Sequence, residues 1–141
     1  MTKISVAVGA VIFRGDAILL IKRGKAPFLG KWSIPGGRLE HGEYLEAAIR
    51  REVLEETNIE IKGVRPLGVF EAMPSPEDGS GHVVLIDYWG EWASGEVLAG
   101  DDAVEAEFVP VEEALARVHW DETRKAVHMA LNLRAEALKA P

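Results

Sequence analysis

The stretch Gly36-Gly37-Arg38-Leu39-Glu40-His41-Gly42-Glu43-Tyr44-Leu45-Glu46-Ala47-Ala48-Ile49-Arg50-Arg51-Glu52-Val53-Leu54-Glu55-Glu56-Thr57-Asn58-Ile59 decides how the chain is read. It opens as a glycine loop and continues as a helix. From Glu43 to Thr57 there is neither Gly nor Pro, and strong helix formers dominate. On a wheel at about 100° per residue, Glu52, Glu55 and Glu56 share an arc of roughly 100°. Leu45, Ala48 and Ile49 occupy the same arc one or two turns earlier. The face is apolar at its start and triply anionic at its end, so burial of the apolar part carries the carboxylates toward the protein body.

Carboxylates held this close repel one another, and partial burial raises the cost. A positive partner must compensate. Arg51 stands at i,i+4 from Glu55 and offsets part of the charge. Oxygen-only ligands suit a hard divalent cation such as Mg²⁺ or Mn²⁺. An isolated Glu-rich helix would simply present such residues to water. Here the cluster continues an apolar stripe and follows a Pro-Gly-Gly run, Pro35-Gly36-Gly37, whose glycines permit unusual backbone angles and close approach of a ligand.

This stretch resembles the signature of the Nudix hydrolases, G-x5-E-x7-R-E-U-x-E-E-x-G-U, with U a bulky aliphatic residue. Gly37, Glu43, Arg51, Glu52, Val53, Glu55, Glu56 and Ile59 fall on the specified positions. Asn58 departs from it, standing where the family usually has Gly. Asn is the next-best residue for a left-handed helix C-cap, so the change is a mild structural one. The preceding Trp32 to Gly37 run is similar to the Trp-x-x-Pro-Gly-Gly of look-alikes.

The resemblance implies an α/β/α sandwich around a central mixed sheet, with the signature as a loop-helix-loop. It also implies metal-dependent hydrolysis of a nucleoside diphosphate linked to another group. Carried over by position, the metal ligands are Glu52, Glu55, Glu56 and the Gly36 carbonyl, with Mg²⁺ or Mn²⁺ as cofactor. Glu52, Glu55, Glu56 and Arg51 form the implied catalytic set. A metal can bind diphosphate oxygens and lower the pKa of a water that attacks phosphorus. The general base is left open between the signature carboxylates and a later acid, with Glu105 and Glu107 as candidates and nothing in spacing to select them over Asp101 or Asp102. Glu43 is expected to open the helix, near its positive end.

The expected substrate is ADP-ribose or a related nucleotide sugar. ADP-ribose pyrophosphatases often carry a Pro some way past the signature, and Pro74 stands at that offset. Gly100 to Ala106 is also similar to small members of that type. The alternatives are a MutT-like hydrolase of nucleoside triphosphates, oxidised ones included, and a non-catalytic nucleotide-binding module. Further substrate contacts are expected from Arg23, Gly37, Arg38, Pro74, Glu105 and Glu107. Arg23 lies in a basic loop, Lys22 to Ser33, whose cations can meet phosphates. Homodimers are common among such relatives.

Composition sets the outer limits. A chain of 141 residues is expected to be one domain, residues 1–141. It holds no cysteine, which removes disulfides and thiolate metal sites. No apolar run is long enough for a membrane span, and no leader-like stretch is evident, so a cytoplasmic location is expected. The net charge of −7 argues against broad contact with a nucleic-acid backbone but not against a small anionic substrate bridged by metal.

The remaining order reads as α/β. Ile4 to Phe13 and Ala17 to Ile21 form a hairpin around Arg14-Gly15-Asp16. Strands are expected over Ile59 to Met73, with a break near Pro66, and over His82 to Trp92 and Glu105 to Val109. A loop is expected over Pro74 to Gly81, and helices over Val111 to Val118 and Asp121 to Lys139. Small residues at Ala7, Gly9 and Ala10 imply either tight packing or room for a ligand ring. Trp32 and Ile34 are expected in the core. His82, His119 and His128 have no metal-ligand spacing and are read as structural or surface residues.

Overall fold

The computed structural model describes residues 3–26, 28–77 and 81–139. Strand β1 (Ile4–Arg14) turns at Gly15, which takes φ 59°, and returns as β2 (Ala17–Arg23). Short strands β3 (Trp32–Ser33) and β4 (Gly36–Arg38) lead into helix α1 (Leu45–Thr57). Then come β5 (Glu60–Ala72), β6 (His82–Ser94), β7 (Ala103–Pro110), α2 (Val111–Arg117) and α3 (Asp121–Lys139).

Among the described residues, seven strands share one mixed sheet. β1 runs parallel to β6; among the described residues the other strand pairings are antiparallel, with one isolated parallel bridge between Trp32 and Val118. β1 and β2 pair only beside their turn, at Phe13↔Ile18 and Arg14↔Ala17. Beyond that point they fork. β3 takes the place beside β2, and β4 takes the place beside β1 at Ala7↔Arg38, Val8↔Gly37 and Gly9↔Gly36. The fork sets the glycine pair inside the sheet, directly before α1.

Strand alternation sends successive side chains to opposite faces. Val8, Ala10, Ile12 and Leu19 meet Ile49 and Val53 of α1 in one core. Val11, Phe13, Ile18 and Leu20 meet Ala126, Val127 and Ala130 of α3 in the other. β1 is therefore covered on both sides, which is why it reads as a near-continuous apolar run. Burying Ile49 and Val53 contributes about 1.5–3 kcal/mol each, and this anchors α1.

The α/β/α sandwich agrees with the sequence expectation, and local boundaries differ in informative ways. The helix does not open at Glu43. It begins at Leu45 with Tyr44 as N-cap, and Glu43 is drawn off to accept the Glu40 N–H and to pair with Arg51. The expected loop over Lys22 to Ser33 loses both ends to β2 and β3, and Gly36-Gly37 is strand rather than free turn. The break expected near Pro66 is a register shift between Pro66 and Gly68 inside one strand. Residues 78–80 of the loop expected after Pro74 lie outside the described residues.

Candidate active site

Helix α1 ends on Asn58, which takes φ 63° and donates its backbone N–H to the Leu54 carbonyl. The left-handed cap stops the helix just after its carboxylates. Glu52 and Glu56 are buried, at 8% and 3% exposure, whereas Glu55 is exposed. Glu56 Oε1 accepts the Gly36 N–H at 2.8 Å. Gly37 leaves room for Glu52, since a Cβ there would lie 2.4 Å from its carboxylate carbon. Gly36 is needed for a different contact: its Cβ would meet the Val8 carbonyl oxygen at 2.2 Å.

Arg51 binds the other side of the cluster. Its Nε donates to Glu43 at 2.7 Å, and its Nη1 donates to Glu52 at 2.7 Å and to Glu55 at 3.3 Å. A second nitrogen, Nη2, reaches Glu43 at 2.9 Å and the Arg38 carbonyl at 3.2 Å. Arg51 thus ties the segment before the helix to the helix itself, a wider role than the i,i+4 contact expected from spacing. Its hydrogen bond holds the Glu43 carboxyl below its ordinary range.

A fourth carboxylate joins from another part of the chain. Oxygens of Glu52, Glu55 and Asp101 lie within 4.8 Å of one another. Asp101 takes φ 52°, a left-handed conformation that costs energy for a non-glycine residue. The Gly100 N–H donates to the Glu56 carbonyl at 3.0 Å, and the Leu98 N–H donates to the Thr57 carbonyl at 3.0 Å. These bonds pin the segment carrying Asp101 to the end of α1. Spacing alone did not select Asp101, because a contact made with Glu52 and Glu55 from a distant part of the chain leaves no periodic signal.

The electrostatics suit a divalent cation. Burial pushes the Glu56 carboxyl up to about 8; the Gly36 N–H and Arg23 oppose this, while the charges of Glu52 and Asp101 add to it. Burial also raises Glu52, against the pull of Arg51. Crowded carboxylates forced toward their neutral forms are returned to the charged form by a divalent cation, and the donor set is oxygen only. Glu52, Glu55 and Asp101 could hold such an ion, with Glu56 beside them.

The remaining expected residues are more dispersed. Arg23 lies at the end of β2, close enough for its charge to act on Glu56. Arg38 is exposed at the end of β4, and Pro74 is exposed beyond β5. Glu105 pairs with Lys22 at 3.1 Å, and Glu107 pairs with Arg117. Both line a cavity of about 320 Å³ with Trp32 and Val97 to Ala99. Trp32 is half-buried against the α3-side core, with the Arg117 guanidinium over its ring at 4.7 Å.

This fold, with a helix of carboxylates following a glycine strand, defines the class, and comparison with known proteins gives the family. The NUDIX domain family model matches residues 3–130, and the chain belongs to the Nudix family. An ADP-ribose pyrophosphatase of Methanocaldococcus jannaschii is 46% identical over 105 residues, which is 74% of this chain and 60% of that protein. A MutT NUDIX hydrolase from Burkholderia pseudomallei has a TM-score of 0.76 at 30% identity, covering 90% of this chain and 98% of that one. The NUDIX domain of Shewanella oneidensis NrtR, solved with ADP ribose, has a TM-score of 0.79 over 94% of this chain and 89% of that one; at 20% identity it shows the fold alone. Among the described residues, no helix is long and apolar enough to cross a membrane.

Proposed function

We propose that this chain, residues 1–141 taken as one domain, hydrolyses the diphosphate bond of ADP-ribose or a related nucleotide sugar. The observation that carries the reading is the convergence of Glu52, Glu55 and Asp101 beside buried Glu56. The 46% identical ADP-ribose pyrophosphatase supports the substrate class.

Glu52, Glu55, Glu56, Asp101 and the Gly36 carbonyl would hold Mg²⁺ or Mn²⁺. When bound, the ion supplies Lewis-acid chemistry that offsets diphosphate charge and acidifies water. The chain's own residues do the rest. Arg23 and Arg38 meet the phosphates as charged donors. Arg51 fixes the orientation of Glu52 while leaving Glu55 and Asp101 in reach of solvent. A carboxylate of this cluster takes the proton as the water oxygen bonds to one phosphorus. The bridging P–O bond breaks, releasing AMP and ribose 5-phosphate.

The test is a panel of ADP-ribose, other nucleotide sugars, dinucleotides and nucleoside triphosphates, run with Mg²⁺ or with EDTA and resolved by chromatography. Fastest release of AMP from ADP-ribose, abolished by EDTA, supports the reading. If a triphosphate is cleaved fastest and gives pyrophosphate, the MutT-like alternative replaces it. No turnover of any of them with Mg²⁺ or with added Mn²⁺ leaves a nucleotide-binding module.

A further inference from the structure

Strand β6 carries a carboxyl that the diphosphate chemistry does not use. Asp87 is 6% exposed, and its Oδ1 has no hydrogen-bond partner among the described residues. Its register neighbours on both sides are glycines, Gly9 on β1 and Gly68 on β5. A Cβ at Gly9 would stand 2.7 Å from Asp87 Oδ1 and 3.4 Å from Ile34 Cδ1. The carboxyl therefore lies over Gly9, in space that any other residue at that position would fill. Buried polar groups are almost always partnered, so an orphaned one marks a place where a partner is to be supplied. Burial alone pushes this carboxyl up to about 7.

The side chains around it are mostly apolar, the composition that small-molecule sites favour. Asp87 shares the α3 face of the sheet with Val11, Phe13 and Trp89. Further along β6 on that face, Leu85 is only half-buried, opposite half-buried Phe70. Asp87 thus stands where the helix-covered sheet passes into a partly open apolar strip. His119 Nε2 is the other buried side-chain atom without a partner among the described residues. Its ring lies 4.7 Å from Phe28, and its Nδ1 is 3.3 Å from the Trp32 carbonyl, two residues before Ile34. Phe28 takes φ 64°, a strained conformation for an aromatic residue.

The distance to the carboxylate cluster fits a nucleotide. Gly9 pairs with Gly36, which is bonded to Glu56, and with Asp87 on its other side. Two strand spacings separate Gly36 from Asp87, roughly 10 Å, which is the scale of one nucleoside between base and phosphate.

We propose that Asp87 is the specificity-determining residue for the substrate's base, its carboxyl accepting a hydrogen bond from an exocyclic amine such as that of adenine. The base lies on the strip formed by Gly9, Ile34, Leu85 and Phe70, with the half-buried Ile34 side chain turned aside. This deepens, and rests on, the nucleotide reading above.

The test measures binding of AMP, IMP and ribose 5-phosphate by calorimetry at about pH 8.5, where the Asp87 carboxyl is ionised and can only accept, in wild type, Asp87→Asn and Asp87→Leu. IMP carries a carbonyl oxygen where AMP has the amine. Wild type is expected to favour AMP over IMP by roughly 10- to 100-fold, the range for a buried acceptor that loses its donor. Asp87→Asn collapses that ratio, since an amide can turn its NH₂ to the carbonyl, and ribose 5-phosphate binding is unchanged. Asp87→Leu loses AMP binding without gaining IMP; if it fails to fold, the near-isosteric Asn variant carries the result alone. An AMP/IMP ratio that is the same in folded Asp87→Asn as in wild type overturns the inference, and so does an equal loss for all three ligands. ADP-ribose turnover is scored separately: ADP-ribose hydrolysis with an Asp87-independent ratio sinks this inference only, and an Asp87-dependent ratio without ADP-ribose hydrolysis sinks only the substrate reading.

Discussion

Glu56 Oε1 and the Gly36 N–H are joined by a 2.8 Å hydrogen bond that fastens the end of α1 to the glycine strand inside the sheet. The bond uses one carboxylate oxygen and leaves Oε2 as the other. A glutamine at 56 can accept the same N–H through its amide oxygen, so Glu56→Gln should fold. It would remove the negative charge, as would Glu52→Gln. Each is expected to lower kcat roughly 100- to 1000-fold, several kcal/mol of lost charge stabilisation. Steady-state turnover under saturating Mg²⁺ checks this, with thermal melting as the folding control. Wild-type rates in either variant would remove that residue from the site.

The two glycines of β4 should fail differently. A Cβ at 37 meets the Glu52 carboxylate, which can rotate away; a Cβ at 36 meets the Val8 carbonyl, which cannot. Gly37→Ala is therefore expected to keep the fold and misplace Glu52, at a cost of roughly 100-fold in rate. Gly36→Ala is expected to lose about 1–3 kcal/mol of stability by overpacking. Urea unfolding alongside kinetics separates the two. Equal stability losses would show that Glu52 is not free to move.

The sequence made α1 legible because helix period, an apolar stripe and carboxylate spacing all lie in one continuous stretch. Asn58 was readable as a cap for the same reason, and it does take the left-handed conformation. Glu43 was misread as a helix opener because its strongest interaction is with Arg51, which draws it away from the helix end. Asp101 and Asp87 could not be picked out. The first reaches the cluster through a strained turn pinned to α1, and the second is defined by glycines on two other strands. Such pairings appear only once strands are in register.

Arg51 donates to Glu43, Glu52 and Glu55 with only 22% of its side chain exposed. Hydrogen bonds to charged groups contribute about 1.5–3 kcal/mol, and an Arg fork is not replaced by Lys. Arg51→Met is expected to lose about that much stability in EDTA. In a double-mutant cycle with Glu43→Gln, the two losses should be less than additive, because the Glu43–Arg51 contact is removed by either change. Full additivity by urea unfolding would show that the pair does not couple.

Metal-free protein should lose stability as pH rises. Glu56 has a folded pKa of about 8 against an ordinary 4.5, and Asp87 has about 7 against 3.8. In that window the folded state holds more protons than the unfolded state, so the contribution of these groups is complete below their ordinary pKa values and is lost as pH passes through the folded ones. The melting temperature in EDTA is expected to fall between pH 5 and about 8. Saturating Mg²⁺ should flatten the part due to Glu56, because the ion binds the charged form. Asp87→Asn should remove the other part. A melting temperature that rises across this range in EDTA would contradict the buried carboxyl assignments.

The later acids are ranked by their surroundings rather than by their order in the chain. Glu105 and Glu107 each have a cation, Lys22 and Arg117, and both side chains are more than half exposed. Exposed pairs of this kind contribute little, so Glu105→Gln and Glu107→Gln should change kcat by no more than a few-fold. Asp101 stands with Glu52 and Glu55 in a backbone conformation that favours glycine or Asn, held there by the Gly100 bond to α1. Asp101→Asn keeps that conformational tolerance and removes only the charge. It is expected to cost on the order of 100-fold in kcat, with the Mg²⁺ requirement shifted to higher concentration. Metal titrations of all three variants, at fixed substrate, give the comparison. If Glu107→Gln loses more activity than Asp101→Asn, the proton is taken from the β7 side of the site, and the carboxylates of α1 serve the metal alone.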